Sequence, residues 1–401
     1  MRWDINHVIA HGQSLASGWD GLPLLDAAPV LDCLMLGESV RPAAEAAPCF
    51  TPVGRAAFRP LRATADGPLG ATVVEAALGH WRRRMSAAER AGGWLLGSAC
   101  GVGGRTLEQL SQGADPPLFR RLTDCVRIAR ATAAAAGLSY GVAALLLLQG
   151  ESNVAGAGVR DRAGYKALLH RLLDDIAAAL GALPPVLLGQ TSGAYADDAL
   201  GVAQAQLEVA LERPGVLLAA PTYPYPERRG HPDANGQRWL GAQFGKVLHR
   251  ALTLGEAWRP LHPLRAERRG DAVCVRFHVP RPPLRLGRPF VGLGRQVIAD
   301  AGFTVGDDQG PVPIAAVSVE GAETLRLRLA CVPRPGPLTL RYADLRHGGR
   351  GALHDSDPAC TDSCFAAGFA DAGYPADDAV ALDGRPCPLA NWCAAFAITA
   401  E

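Results

Sequence analysis

Five short apolar runs, spaced along the first 255 residues, constrain the fold more than any other feature. They cover Asn6–Ala10, Trp94–Ser98, Val142–Leu148, Pro185–Gln190 and Val216–Ala219. Between them lie stretches with helical spacing, such as "PLFRRLTDCVRIARATAAAAG", "AGYKALLHRLLDDIAAALG" and "ALGVAQAQLEVALE". A last helix is expected in "PDANGQRWLGAQFGKVLHRAL". Continuous apolar strands alternating with helices predict βαβ units around a parallel sheet, an α/β fold. In such a sheet, ligands gather at the carboxyl ends of the strands.

Two regions break this rhythm. Residues 20 to about 70 are rich in Pro, Gly and Ala and weakly periodic, which predicts a long loop excursion after the first strand. Beyond residue 255 the texture changes to short alternating runs: "DAVCVRFHV", "AGFTV", "AAVSVEG", "TLRLRLA" and "PLTLRYA". These predict a second, antiparallel β domain over 256–401, a sandwich or jelly roll with a loop-rich tail from Arg346. The first domain is expected to span 1–255.

Composition removes several function classes. The chain has 401 residues, is 48% hydrophobic and carries a formal net charge of +1, so no basic face implies a nucleic-acid partner. No run approaches the roughly 20 apolar residues of a membrane span, and "MRWDINHVIA" has no signal-peptide pattern. The expectation is a soluble chain that stays in the cytoplasm or leaves without a cleaved signal, a virion being one destination. Of ten cysteines, Cys360, Cys364, Cys387 and Cys393 fall in the tail at C-x3-C and C-x5-C spacing. That spacing favours buried thiols or a local disulfide over a metal site.

Four places at or just after strand ends hold reactive residue types. They are Gly12-Gln13-Ser14, "CGVGGRTLEQL" with Gly103 and Gly104, "LLLLQGESN" with Gln149, Glu151 and Asn153, and "GHPDANGQRWLG" with His231. Ester hydrolysis needs an exposed serine with a base in reach and donors aimed at the developing oxyanion. Ser14, the two glycines, Gln149 and His231 supply those types. The sequence has no G-x-S-x-G elbow and no His/Asp/Glu cluster with metal spacing.

In their order, these blocks resemble the SGNH hydrolases, and more narrowly the carbohydrate esterases of the sialate O-acetylesterase and acetylxylan esterase type. "GQSL" matches the family's "GQSN" nucleophile block, "GGRTLEQL" its oxyanion-glycine block, "QGESN" its third block and "HPDANG" its histidine block. "HGQSLASG" also has a looser similarity to esterase-like proteins of phage tails. The resemblance covers residues 7 to about 250. It implies a three-layer, flavodoxin-like parallel sheet and a cofactor-free serine mechanism on an acetylated glycan. Ser14 is the implied nucleophile and His231 the base, with an oxyanion hole of Ser14, Gly103 or Gly104, and Gln149. Gln13, Glu151 and Asn153 support the loops, Glu151 as a buried carboxylate pinning its loop.

The sequence departs from the family where an Asp usually precedes the histidine by two or three residues, since Arg228 and Arg229 stand there. Glu227 is the expected third member, with Asp233 capping the helix that follows. A Ser–His dyad oriented by a backbone carbonyl is the other option. Leu15 replaces the family's Asn. The missing Asp motivates a second reading, a non-catalytic glycan-binding or structural module of a virion or surface. A third is a lipase or thioesterase. Neither the sugar nor the oligomeric state is legible.

Overall fold

The computed structural model describes residues 2–369 and 372–401. All five apolar runs form strands, and two short ones join them. The seven are β1 (Ile5–Gly12), β2 (Cys33–Leu36), β3 (Phe58–Pro60), β4 (Trp94–Ala99), β5 (Tyr140–Leu148), β6 (Val186–Gln190) and β7 (Val216–Pro221). Their order is β3-β2-β4-β1-β5-β6-β7, and every pairing is parallel except that of β3 with β2. Among the five predicted strands alone this is the order 2-1-3-4-5, a doubly wound arrangement that reverses beside the first strand. β2 and β3 come from the excursion, which was expected to be irregular. At four and three residues they are too short for a periodic signal.

Side-chain alternation along the strands divides the core into two layers. Val8, Ala10, Leu146 and Leu148 pack with the helices Val73–Arg84 and Ala234–Leu248. Ile5, Ile9, Leu145 and Leu147 pack with the helices Arg120–Ala135, Arg162–Leu180 and Gly201–Glu212 on the other face. Helix Val73–Arg84 starts at a capping box. Thr72 accepts from Val74 N, and the Glu75 carboxylate accepts from Thr72 N. Such a cap contributes about 1 kcal/mol.

The second region adds a further sheet, which departs from the expected antiparallel pairing at one place. Its main strands lie in one eight-stranded sheet, ordered Gly310–Val312, Phe303–Asp307, Leu338–Tyr342, Phe396–Ala400, His262–Arg269, Ala272–His278, Thr324–Leu329, Ile314–Glu320. The sheet is mixed, because Phe396–Ala400 runs parallel to His262–Arg269. Alternation locates strands but does not say which return to the same sheet. The last strand belongs to the tail, which reads as loop. Hydrophobic packing crosses residue 255 in both directions. Leu200, Leu207, Leu218 and Tyr223 cluster with Phe277, Tyr342 and Phe396. Phe290, Phe365 and Leu389 cluster with Tyr225, Trp239 and Phe244.

Among the described residues all ten cysteines are free, with Cys360 and Cys364 exposed and Cys387 and Cys393 buried. No group of three or more His, Cys, Asp or Glu side chains among them could hold a metal ion. No helix among them is long and apolar enough to cross a membrane.

Candidate active site

The carboxyl end of β1 lies between β4 and β5, where the chain order reverses. Gln13 N–H donates to Leu148 O at 3.0 Å, so the chain leaves β1 pressed against β5. A Cβ on Gly12 would lie 2.0 Å from that same carbonyl, and φ there is 134°. Only glycine permits this exit. Ser14 then opens the one-turn helix Ser14–Ser17. Gln13 fixes the turn from below, its Oε1 accepting from Ser152 N at 3.1 Å.

His231 reaches the serine from the segment that follows β7. Its Nε2 lies 2.8 Å from Ser14 Oγ, although 217 residues separate the two. The imidazole sits on a two-strand hairpin, Glu227–Arg228 paired with His231–Pro232. Arg229 and Gly230 form its turn with φ values of 50° and 86°. Two consecutive left-handed residues make a type I′ turn, which favours Asn-Gly and tolerates Arg-Gly at some cost.

The carboxylate at the other ring nitrogen is Asp20, with Oδ2 3.3 Å from His231 Nδ1. This corrects the expectation for Glu227. The acid comes from the loop that carries Ser14, six residues further on. Asp20 has φ 57°, a conformation Asp adopts more readily than most residues. The returning excursion holds it there: Asp20 N donates to Pro68 O, Gly70 N to Gly18 O and Ala71 N to Gly21 O. The preceding Trp19 stacks on the imidazole, with centroids 6.2 Å apart. A sequence signal existed in "GWDG", an Asp in a glycine-flanked turn near the serine, but only a three-dimensional contact distinguishes it from any other turn Asp.

Glu227 points elsewhere. Its carboxylate accepts from Gly230 N (2.5 Å), Gly292 N (3.2 Å) and Arg350 Nη2 (2.9 Å). Asp233 caps helix Ala234–Leu248 through Gly236 N at 2.8 Å and accepts from the Tyr374 hydroxyl.

The donors differ from expectation in one respect. Ser14 N–H and Gly104 N–H have no hydrogen-bond partner among the described residues, and Gly104 is exposed. Gly103 N–H donates to Glu45 Oε1 at 2.9 Å. The indole N–H of Trp19 is buried beside Gly103 and unpartnered. Gln149, expected as the side-chain donor, has both amide hydrogens engaged. They go to Asn153 Oδ1 (2.7 Å) and Arg105 O (3.3 Å), while its Oε1 accepts from Tyr165. An amide has two such hydrogens, so none is left for a substrate. Asn153 in turn bonds Glu108, Val159 and Leu107, joining the loops after β4 and β5. Glu151 accepts from Thr191 Oγ1 at 3.2 Å, which ties its loop to the end of β6. Burial pushes its carboxyl up to about 7. Leu15 packs into the core.

Burial holds the His231 imidazole below its ordinary range. Asp20 and then Glu227 oppose this shift, and Arg229 adds to it. A neutral imidazole bonded to a hydroxyl, with a carboxylate at its second nitrogen, can accept the hydroxyl proton and stabilise the resulting cation.

No protein family and no curated protein matches the chain in sequence. Solved structures do. A carbohydrate acetylesterase from Xanthomonas citri is 15% identical with a TM-score of 0.60, over 98% of this chain and 80% of that one. This likeness establishes a shared mixed α/β fold. A carbohydrate acetylesterase from Sinorhizobium meliloti and an aryl esterase from M. smegmatis are each 13% identical over 62% of this chain and 99% of theirs. Their TM-scores are 0.33 and 0.32.

Proposed function

We propose that the protein is a serine esterase of the SGNH type that removes O-acetyl groups from a carbohydrate. The observation that carries this reading is the Ser14–His231–Asp20 series, at 2.8 and 3.3 Å. His231 takes the Ser14 proton as Oγ attacks the acetyl carbonyl, and Asp20 holds the ring and balances its charge. The free Ser14 and Gly104 amides stabilise the oxyanion. His231 then returns the proton to the departing sugar hydroxyl. A water deprotonated by His231 releases acetate from the acyl-enzyme.

Carbohydrate as the substrate class rests on the motif resemblance and on the Xanthomonas citri acetylesterase that shares the fold. An inert binding module was motivated by a missing acid, and Asp20 stands in that role. In this reading residues 1–255 carry the reaction and residues 256–401 form a second domain.

The test is acetate release from p-nitrophenyl acetate and from an acetylated oligosaccharide. Folded Ser14→Ala and His231→Ala are each expected to lose about 10³-fold or more in kcat. Equal turnover in all three proteins would sink the mechanism. A series of longer acyl esters separates an acetylesterase from a lipase or thioesterase.

A further inference from the structure

The catalytic hairpin is not held by its own domain alone. Glu227, four residues before His231, is bound by the second region through side chain and backbone. Arg350 Nη2 donates to Glu227 Oε1 at 2.9 Å, and the pair is largely buried. Gly292 N donates to the same oxygen, while Glu227 N donates to Gly292 O at 3.0 Å. The other carboxylate oxygen, Oε2, accepts from Gly230 N inside the hairpin turn. One carboxylate therefore joins the turn beside His231 to residues 292 and 350.

Arg350 is itself fixed. Its Nε donates to Phe290 O at 3.0 Å and its Nη1 to Gly348 O at 2.6 Å. The turn that carries it reaches the rim of the parallel sheet, where Gly193 N donates to Gly349 O at 2.9 Å. A Cβ on Gly349 would lie 2.2 Å from Gly193 O, so the two backbones touch. A second contact holds the other side of the hairpin. Arg228 Nη2 donates to Ala372 O at 3.2 Å, and Tyr374 bonds Asp233 and Asn235 just beyond the histidine.

We infer that Arg350 and Glu227 are positioning residues, through which the second β region sets the His231 imidazole against Ser14. This rests on the esterase reading above. A guanidinium pinned by two backbone carbonyls and donating its remaining nitrogen to a carboxylate fixes direction as well as distance, and that geometry suits a hairpin whose ring must meet a hydroxyl at one end and a carboxylate at the other. It also accounts for an acid near the histidine that does not touch it.

The experiment uses the full chain. Hydrolysis of p-nitrophenyl acetate, the 1H–15N resonances of the His231 ring and thermal melting are compared for wild type and four variants. These are Ser14→Ala, Glu227→Gln, Arg350→Lys and the Glu227→Gln/Arg350→Gln double variant. Glu227→Gln is expected to lose about 10- to 100-fold in kcat with KM within about twofold. Arg350→Lys retains more activity than Glu227→Gln, and the double variant is no worse than Glu227→Gln, because the two residues act as one unit. The His231 ring resonances shift or broaden in the impaired variants. Folded Glu227→Gln and double variants with wild-type kcat and unchanged ring resonances would overturn the inference, even with lowered melting temperatures. Wild-type turnover no greater than that of Ser14→Ala counts against the esterase reading instead, and the ring resonances then decide the positioning role alone.

Discussion

At the scale of single residues, two acids near one histidine have different duties. Asp20 meets the ring, whereas Glu227 is engaged by Arg350 and backbone amides. Asp20→Asn is therefore expected to lower kcat by about 10²- to 10⁴-fold, since the amide neither balances the imidazolium nor holds the required tautomer. Asp233→Ala, which removes the helix cap, should cost about 1 kcal/mol of stability and lower kcat far less than Asp20→Asn. Steady-state kinetics and melting curves on both variants check this. The imidazole also sets the pH profile. Protonated His231 cannot accept the Ser14 proton, and burial lowers its pKa from the ordinary value. The acid limb of kcat/KM should therefore have its midpoint below that of an ordinary imidazole, about pH 6.5. Asp20 raises this pKa, so the residual activity of Asp20→Asn should show its acid limb at still lower pH.

At the scale of elements, the strand-to-turn junctions position the chemistry. Gly12 is the tightest, with no room for a Cβ against Leu148 O. Gly12→Ala must push β1 away from β5 and is expected to abolish activity or soluble expression, whereas Gly113→Ala, with open space at its turn, should pay only about 1 kcal/mol of left-handed strain. Expression and activity of the pair decide between local geometry and general glycine loss. Much at this scale was legible in the sequence. Every one of the five apolar runs is a strand of the parallel sheet, because continuous burial on both faces leaves an unbroken apolar signature. Ser14 and His231 were legible as strand-end residues. Asp20, Gln149 and Glu227 were not correctly legible, because hydrogen-bond partners are chosen by side-chain direction. Gln149 has donors of the right type, but Asn153 and Arg105 already take them.

At the scale of the whole molecule, the two regions share their cores and their polar contacts. Gln190 bonds both Ala395 N and Ala395 O, Tyr223 donates to Cys393 O, and Trp239 donates to Pro388 O. A chain ending at residue 255 would expose Leu218, Tyr223 and Trp239 and leave these groups unpaired. It is expected to be insoluble or to lack a cooperative melting transition, which expression and calorimetry would show; a soluble, active fragment would contradict the shared core. Local pattern was enough to specify the parallel sheet, five of the eight strands in the main sheet of the second region, and the placing of serine, glycines and histidine at strand ends. These follow from periodicity and turn chemistry, which act over a few residues. Long-range packing settled which carboxylate meets the histidine, which amides remain free, and that the tail returns as a strand in the second sheet. Those outcomes depend on groups brought together from distant parts of the chain, such as Asp20 with His231 and Glu227 with Arg350. No local pattern encodes a partner more than a hundred residues away.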